Sequence, residues 1–197
     1  MQKKIWAGIA GLAMLGAGAA QAAEGDILAR ARVINIAPAA SGSSLNLDVK
    51  SATTLELDFT YFFTKNIAAE LILGTKTHDV TLNGAKIGTV KHLPPTVTVQ
   101  YHFQPDAELR PYVGAGLNYT RFSNVNLLAG AATVDKSSWG PAVQAGLDYS
   151  LTKTVFLNLD VKYIKMDTDV KATATGALLS NLKINPWIYG IGLGMKF

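Results

Sequence analysis

The last stretch of the chain, Trp187–Phe197, reads WIYGIGLGMKF. Trp187, Tyr189, Ile191, Leu193, Met195 and Phe197 alternate with Ile188, Gly190, Gly192, Gly194 and Lys196. A strand sends these two sets to opposite faces. One face is a continuous apolar band with aromatic residues at both ends. The other is little more than hydrogen atoms and one amine. Lipid outside and a crowded, partly polar lumen inside account for that asymmetry. An open sheet edge cannot sit in lipid, so the rest of the chain must supply strands that close a barrel.

The same two-residue period recurs upstream. Gly25–Pro38 places Ile27, Ala29, Ala31 and Val33 on one face and Leu28, Arg30, Arg32, Ile34 and Ile36 on the other. The face with two arginines must point inward. Thr54–Phe63 turns Leu55, Leu57, Phe59, Tyr61 and Phe63 outward and Thr54, Glu56, Asp58, Thr60 and Phe62 inward. Ile67–Lys76, Leu93–Phe103, Leu109–Phe122, Trp139–Leu151 and Val155–Met166 follow the same rule, and with Trp187–Phe197 the strands number eight. The expected fold is all-β: an eight-stranded antiparallel transmembrane β-barrel. Thr64-Lys65-Asn66, Gln104–Glu108 and Thr152-Lys153-Thr154 read as short turns. Pro38–Ser51, Thr77–Lys86, Ser123–Ser138 and Asp167–Leu182 read as longer loops. Short turns in the periplasm and long loops outside put both termini in the periplasm.

The N-terminus fits export. Lys3 and Lys4 precede an apolar, small-residue run from Ile5 to Ala20, and Ala20-Gln21-Ala22 fits a cleavage site. Residues 1–22 therefore read as a cleaved signal peptide, leaving 23–197 as one barrel domain. The formal charge of +4 drops to +2 without Lys3 and Lys4, so nothing points to nucleic acid. Cysteine is absent, although small exported domains often lean on disulfides. A closed hydrogen-bond ladder is an alternative means of stabilisation.

Several segments resemble the OmpW family of outer-membrane proteins. They are LELDFTYFF at Leu55–Phe63 with NIAAEL at Asn66–Leu71, HLPPTVTVQ at His92–Gln100 and RPYVGAGLNYT at Arg110–Thr120. Asn158–Tyr163 with Asp167-Thr168-Asp169, and Pro186-Trp187 through Phe197, add to the likeness. The resemblance implies an eight-stranded barrel in the Gram-negative outer membrane and a role in passing small hydrophobic molecules; the family includes the alkane-uptake protein AlkL. The partners expected are outer-membrane lipid, small hydrophobic ligands and the outer-membrane assembly machinery. A monomer is expected rather than an oligomer, with no cofactor and no metal.

The inward residues divide by height. Arg30, Arg32, Arg110, Lys162 and Lys196 stand against Glu56, Asp58, Glu70, Asp148 and Asp160 in the middle and periplasmic parts. Charges so confined must pair to offset desolvation, which predicts a salt-bridge plug. Near the extracellular ends the inward set becomes Ile34, Ile36, Phe122, Ile164, Met166 and Ile188. These would line a hydrophobic cup open to the outside, suited to an apolar ligand; the alternative is that they cap the lumen by packing on one another. Pro94 and Pro95 sit inside a strand, where proline donates no ladder hydrogen bond. They predict a lateral opening into lipid, or alternatively a bulge that bends the strand.

Catalysis has little support. His78, His92 and His102 do not converge; His92 and His102 share a face but stand roughly 33 Å apart along one strand. No G-x-S-x-G or H-E-x-x-H motif occurs. Two other classes remain open. One is a structural or interaction barrel with a sealed lumen, and the other is a soluble lipocalin-like carrier with the two faces exchanged.

Overall fold

A computed structural model describes residues 23–39, 47–74 and 76–197. The expected signal peptide, residues 1–22, and half of the first expected loop, residues 40–46, lie outside the described residues, as do the side chains of Leu47, His92, Leu93 and Asn126. The strands in chain order are β1 (Ile27–Ala37), β2 (Leu47–Val49), β3 (Ala52–Phe62), β4 (Ile67–Gly74), β5 (Lys76–Leu82), β6 (Ala85–Leu93) and β7 (Thr96–His102). They continue as β8 (Leu109–Leu127), β9 (Ala132–Val134), β10 (Ser137–Ser150), β11 (Val155–Ile164), β12 (Asp167–Ala172), β13 (Leu178–Lys183) and β14 (Trp187–Lys196).

Eight of these close a barrel in the order β10, β11, β14, β1, β3, β4, β7, β8, with β8 returning to β10. All of the pairings are antiparallel. The first and last barrel strands join over ten residue pairs, from Leu28 opposite Lys196 to Ala37 opposite Trp187. No amide edge is left along this seam, which is what hydrocarbon demands.

The faces are as the alternation requires. Leu55 (69%), Leu117 (61%) and Trp139 (69%) are among many exposed apolar side chains on the outer wall, while Arg30, Arg32, Asp58 and Glu70 are buried inside. That arrangement excludes the lipocalin-like reading. Among the described residues no helix is long and apolar enough to cross a membrane. Outer-wall aromatics pair at the outer boundary of the band, Tyr119 with Trp139 and Tyr163 with Trp187.

The short turns share one device. The backbone N–H of Ile67 donates to the Thr64 hydroxyl at 3.0 Å, and that of Val155 to the Thr152 hydroxyl at 2.9 Å. A threonine hydroxyl stands in for a backbone acceptor and fixes both reversals.

Three expected loops are strands instead. Thr77–Lys86 belongs to the hairpin β5–β6, whose turn is Asn83-Gly84, with φ of 48° and 83°. Ser123–Ser138 holds the end of β8 and then β9, and Asp167–Leu182 holds the hairpin β12–β13. β8 alone runs 19 residues, about 60 Å at the usual rise, far more than a lipid band of about 25 Å needs. The excess rises outside as a stranded wall.

The sign of the alternation inverts where that wall leaves the bilayer. Along β1 the inward residues change from Arg30 and Arg32 to Ile34 and Ile36, while the outward ones change from Val33 to Asn35. Along β8 the outward residues change from Leu117 to Arg121, and the inward ones from Asn118 to Phe122. Below the boundary the lumen is polar and the outside is lipid; above it the outside is water and the interior becomes the core. The inversion gives these segments outward polar residues, the pattern of a solvated loop.

Strand packing depends on glycines where backbones approach closely. A Cβ on Gly192 would lie 2.1 Å from the Ala31 carbonyl oxygen and 2.7 Å from Arg32 Cα, whereas one on Gly74 would meet nothing nearer than 3.8 Å. Gly192→Ala is expected to destabilise the barrel by about 2–4 kcal/mol through backbone displacement at the closing seam. Gly74→Ala should stay within about 0.5 kcal/mol of the parent. Reversible urea unfolding in lipid vesicles measures both.

Candidate functional site

The lumen is stacked in three layers, and the middle layer is ionic. Arg30, on β1, donates to Asp58 Oδ1 at 2.9 Å, Thr60 Oγ1 at 2.7 Å and Asp148 Oδ2 at 3.1 Å. Two residues further up the strand, Arg32 reaches Glu56 Oε1 at 3.0 Å, Asp58 Oδ2 at 2.6 Å, Glu70 Oε1 at 3.0 Å and Asn158 Oδ1 at 3.0 Å. The second oxygen of Glu70 accepts from Thr98 at 3.1 Å, Gln100 at 2.8 Å and Gln144 at 2.6 Å. Lys162 Nζ lies 2.8 Å from Glu56 Oε1 and 3.0 Å from Asp160 Oδ1. Tyr112 donates to Asp160 Oδ2 at 2.8 Å, and Asn158 to Asp148 Oδ1 at 2.7 Å. Side chains from seven of the eight barrel strands meet here.

The eighth, β14, contributes space. Gly190 and Gly194 face the lumen, and Cβ atoms there would crowd Arg32 Cδ at 3.3 Å and Arg30 Cγ at 3.0 Å. The inward glycines leave room for the arginines of the neighbouring strand. A buried ion is tolerated only with good geometry and partners for its donors; Arg32 bonds through Nε and both terminal nitrogens, whereas Arg30 bonds through its two terminal nitrogens and leaves Nε without a partner.

Two of the expected plug residues stand apart from this network. Lys196 sits one rung below Arg30 on the periplasmic rim, opposite Leu28, and its Nζ lies 3.2 Å from Asp26. The strand carries its amine to the water at the barrel's end. Arg110 is buried, but it donates to Ser150 Oγ at 2.8 Å and lies over the Phe156 ring at 5.3 Å. No carboxylate lies within ion-pair distance of it among the described residues. The other eight, Arg30, Arg32, Glu56, Asp58, Glu70, Asp148, Asp160 and Lys162, come together.

Below the plug lies an apolar seal that sequence reading did not identify. Leu28, Phe62, Ala68 and Phe156 form one buried cluster beside the short turns. His102 stacks on Tyr112, at 5.1 Å, and meets the Phe62 ring at a tilt, at 4.8 Å. Phe62 and Phe156 were legible as inward, and their place at the turn end of their strands was the available signal.

Above the plug is the cup. Ile34, Ile36, Phe122, Ile164, Met166 and Ile188 all line it. So do Val80, Val90, Leu127, Val134, Val170 and Leu182, which sequence reading had placed mainly in loops. These walls leave a cavity of about 80 Å³ between them. The six expected residues therefore surround a void as well as touching one another. His78 lines the cup as well; its Nδ1–H donates to the Lys50 carbonyl at 2.9 Å. Burial holds its imidazole below the ordinary histidine range, partly offset by that carbonyl.

Pro94 and Pro95 do not interrupt a strand from within, as expected from sequence; they divide two. β7 begins after them and β6 ends before them. Ile72 faces Thr96 and Lys76 faces His92 in one unbroken register, which sets Gly74 opposite Pro94. Among the described residues no ladder pairing joins that rung, because proline has no N–H to offer. On the other side the seam holds: Tyr119 N–H donates to the Pro95 carbonyl at 3.0 Å. Asn118 Nδ2 also approaches the Pro94 and Pro95 carbonyls, at 3.3 Å and 3.4 Å. Gly74 and Pro94 both line the cup, so its side wall includes the broken rung. Gly74 is the member of this pair that sequence reading missed.

Comparison with known proteins agrees with this architecture. The family model described as OmpW family matches residues 23–197. Outer membrane protein W of Vibrio cholerae is 36% identical over 194 residues, covering 88% of this chain and 89% of that one. An uncharacterized outer-membrane protein, y4mB, of Sinorhizobium fredii is 43% identical over 148 residues, covering 72% of this chain and 65% of that protein. The crystal structure of the outer-membrane protein OprG from Pseudomonas aeruginosa superposes with a TM-score of 0.80 at 29% identity, covering 91% of this chain and 99% of that one. With its closed barrel, inward charges and lipid-facing apolar wall, the chain belongs to the OmpW family of Gram-negative outer-membrane proteins.

Proposed function

We propose that this barrel passes small hydrophobic molecules from outside into the outer membrane. They enter the apolar cup, are stopped by the ionic plug and leave sideways at the Gly74–Pro94 rung. The observation that carries the reading is the position of that rung. This break in the described ladder borders the cup and lies level with Glu56, at the top of the plug. An apolar solute loses nothing by moving from an apolar cup into acyl chains, whereas it would have to displace ion pairs to continue downward. The chain acts as a monomer without catalysis or a cofactor, and it relies on the outer-membrane assembly machinery for insertion.

A barrel that only stabilises the membrane, with a sealed lumen, is the competing reading. The density of ion pairs in the plug favours it for ions and polar solutes alone.

Replacing both prolines, Pro94→Thr and Pro95→Thr, supplies two backbone donors and lets the ladder run from β6 into β7. Uptake of graded alkanes by cells carrying this variant should fall severalfold, toward the level of cells without the protein, at equal barrel content. Unchanged uptake would defeat the lateral route. Glu70→Ala leaves Arg32 short of a carboxylate in a buried site, at a cost of about 3–5 kcal/mol. Urea unfolding should show that loss, and planar-bilayer recordings should show ion conductance that the parent lacks.

A further inference from the structure

The floor of the cup is not electrically neutral in what it offers. Glu56 and Lys162 both reach the cup from below. Arg32 Nε, at 3.0 Å, and Lys162 Nζ, at 2.8 Å, both donate to Glu56 Oε1. Oε2 has no hydrogen-bond partner among the described residues. The Glu56 side chain keeps 5% of its surface exposed, and the space it borders is the cup. A carboxylate oxygen with open lone pairs thus sits at the bottom of an apolar shaft.

Lys162 is less open to the cup than Glu56. Its side chain is 1% exposed, and Glu56 and Asp160 flank its amine. The formal balance of the lumen runs the same way. Glu56, Asp58, Glu70, Asp148 and Asp160 outnumber Arg30, Arg32, Arg110 and Lys162 by one. A second carboxylate brought to this floor would meet a like charge in a poorly screened space, whereas a donor would complete the acceptor already there.

We propose that, among chain-like apolar molecules, the cup favours those whose head donates a hydrogen bond, an alcohol or a primary ammonium, over those ending in a carboxylate. Glu56 is the receiving group. The inference rests on the reading above, that the cup admits apolar chains, and it adds a head-first pose with the tail among Ile34, Phe122 and Ile164.

The test uses the full barrel in zwitterionic nanodiscs with methyl-labelled isoleucine and methionine. Decane, decan-1-ol, decylammonium and decanoate are titrated in turn, with empty discs correcting for partition into lipid. Shifts at the Ile34, Ile164 and Met166 methyls report the cup itself. Decylammonium and decan-1-ol should each bind about tenfold more tightly than decanoate, the size of one charge-assisted hydrogen bond. Glu56→Gln should bring decylammonium and decanoate to within about twofold of each other. Because that change also touches Arg32, the neutral pair E56Q/K162M serves as a second variant and should level the four probes in the same way. Equal binding of all four by the parent, or a preference unchanged in both variants, overturns the role of Glu56 and leaves the apolar cup standing. Shifts from none of the four, decane included, overturn the cup reading and this inference together.

Discussion

Hydrocarbon offers no partner to an amide, and an unpaired one there costs several kcal/mol. The ten-pair seam between β1 and β14 is the direct answer, since it joins the two ends of the sheet. The same rule gives the Gly74–Pro94 rung its meaning. A wall in which every rung is bonded has no preferred place to part. A rung that proline prevents from bonding is where the proposed route would part the wall, and it falls where the apolar side chains of the interior end and the ion pairs begin.

The interior obeys a second version of the same requirement. Charges removed from water need partners, and a narrow barrel brings them within reach only if something else gives way. β14 does so by presenting glycine to the lumen at Gly190, Gly192 and Gly194, so the side chains of Arg30 and Arg32 can cross the space beside it. The terminal strand is bulky toward lipid and bare toward the lumen for two separate reasons, and its sequence shows both.

The barrel was legible because each strand separates two solvents, and a period of two records which side is which. Glu56 and Asp58 could be placed inside from LELDF alone. The stranded wall above the membrane was not legible in the same way. There the contrast reverses, and His78, Val80, Thr168 and Val170 read as loop because their neighbours are lysine, threonine and aspartate. Lys196 was assigned to the plug because facing fixes direction and says nothing about height; one rung separates it from the ions. Arg110 shows a further limit, since a cation inside the barrel can settle against a hydroxyl and a ring. The break at Pro94 was visible in sequence, but Gly74 opposite it needed the register of the whole hairpin.

The height of the stranded wall bears on where an oily solute first meets this protein. A strand of 19 residues, tilted as in other barrels, stands about 45 Å tall. Some 20 Å of that lies beyond a hydrocarbon band of about 25 Å, level with or above the sugar-bearing headgroups that cover a Gram-negative surface. Those hydrated sugars are what greasy compounds cross most slowly. On the route proposed above, a bore lined with apolar side chains at this height would let such a compound leave water before it dissolves among carbohydrate.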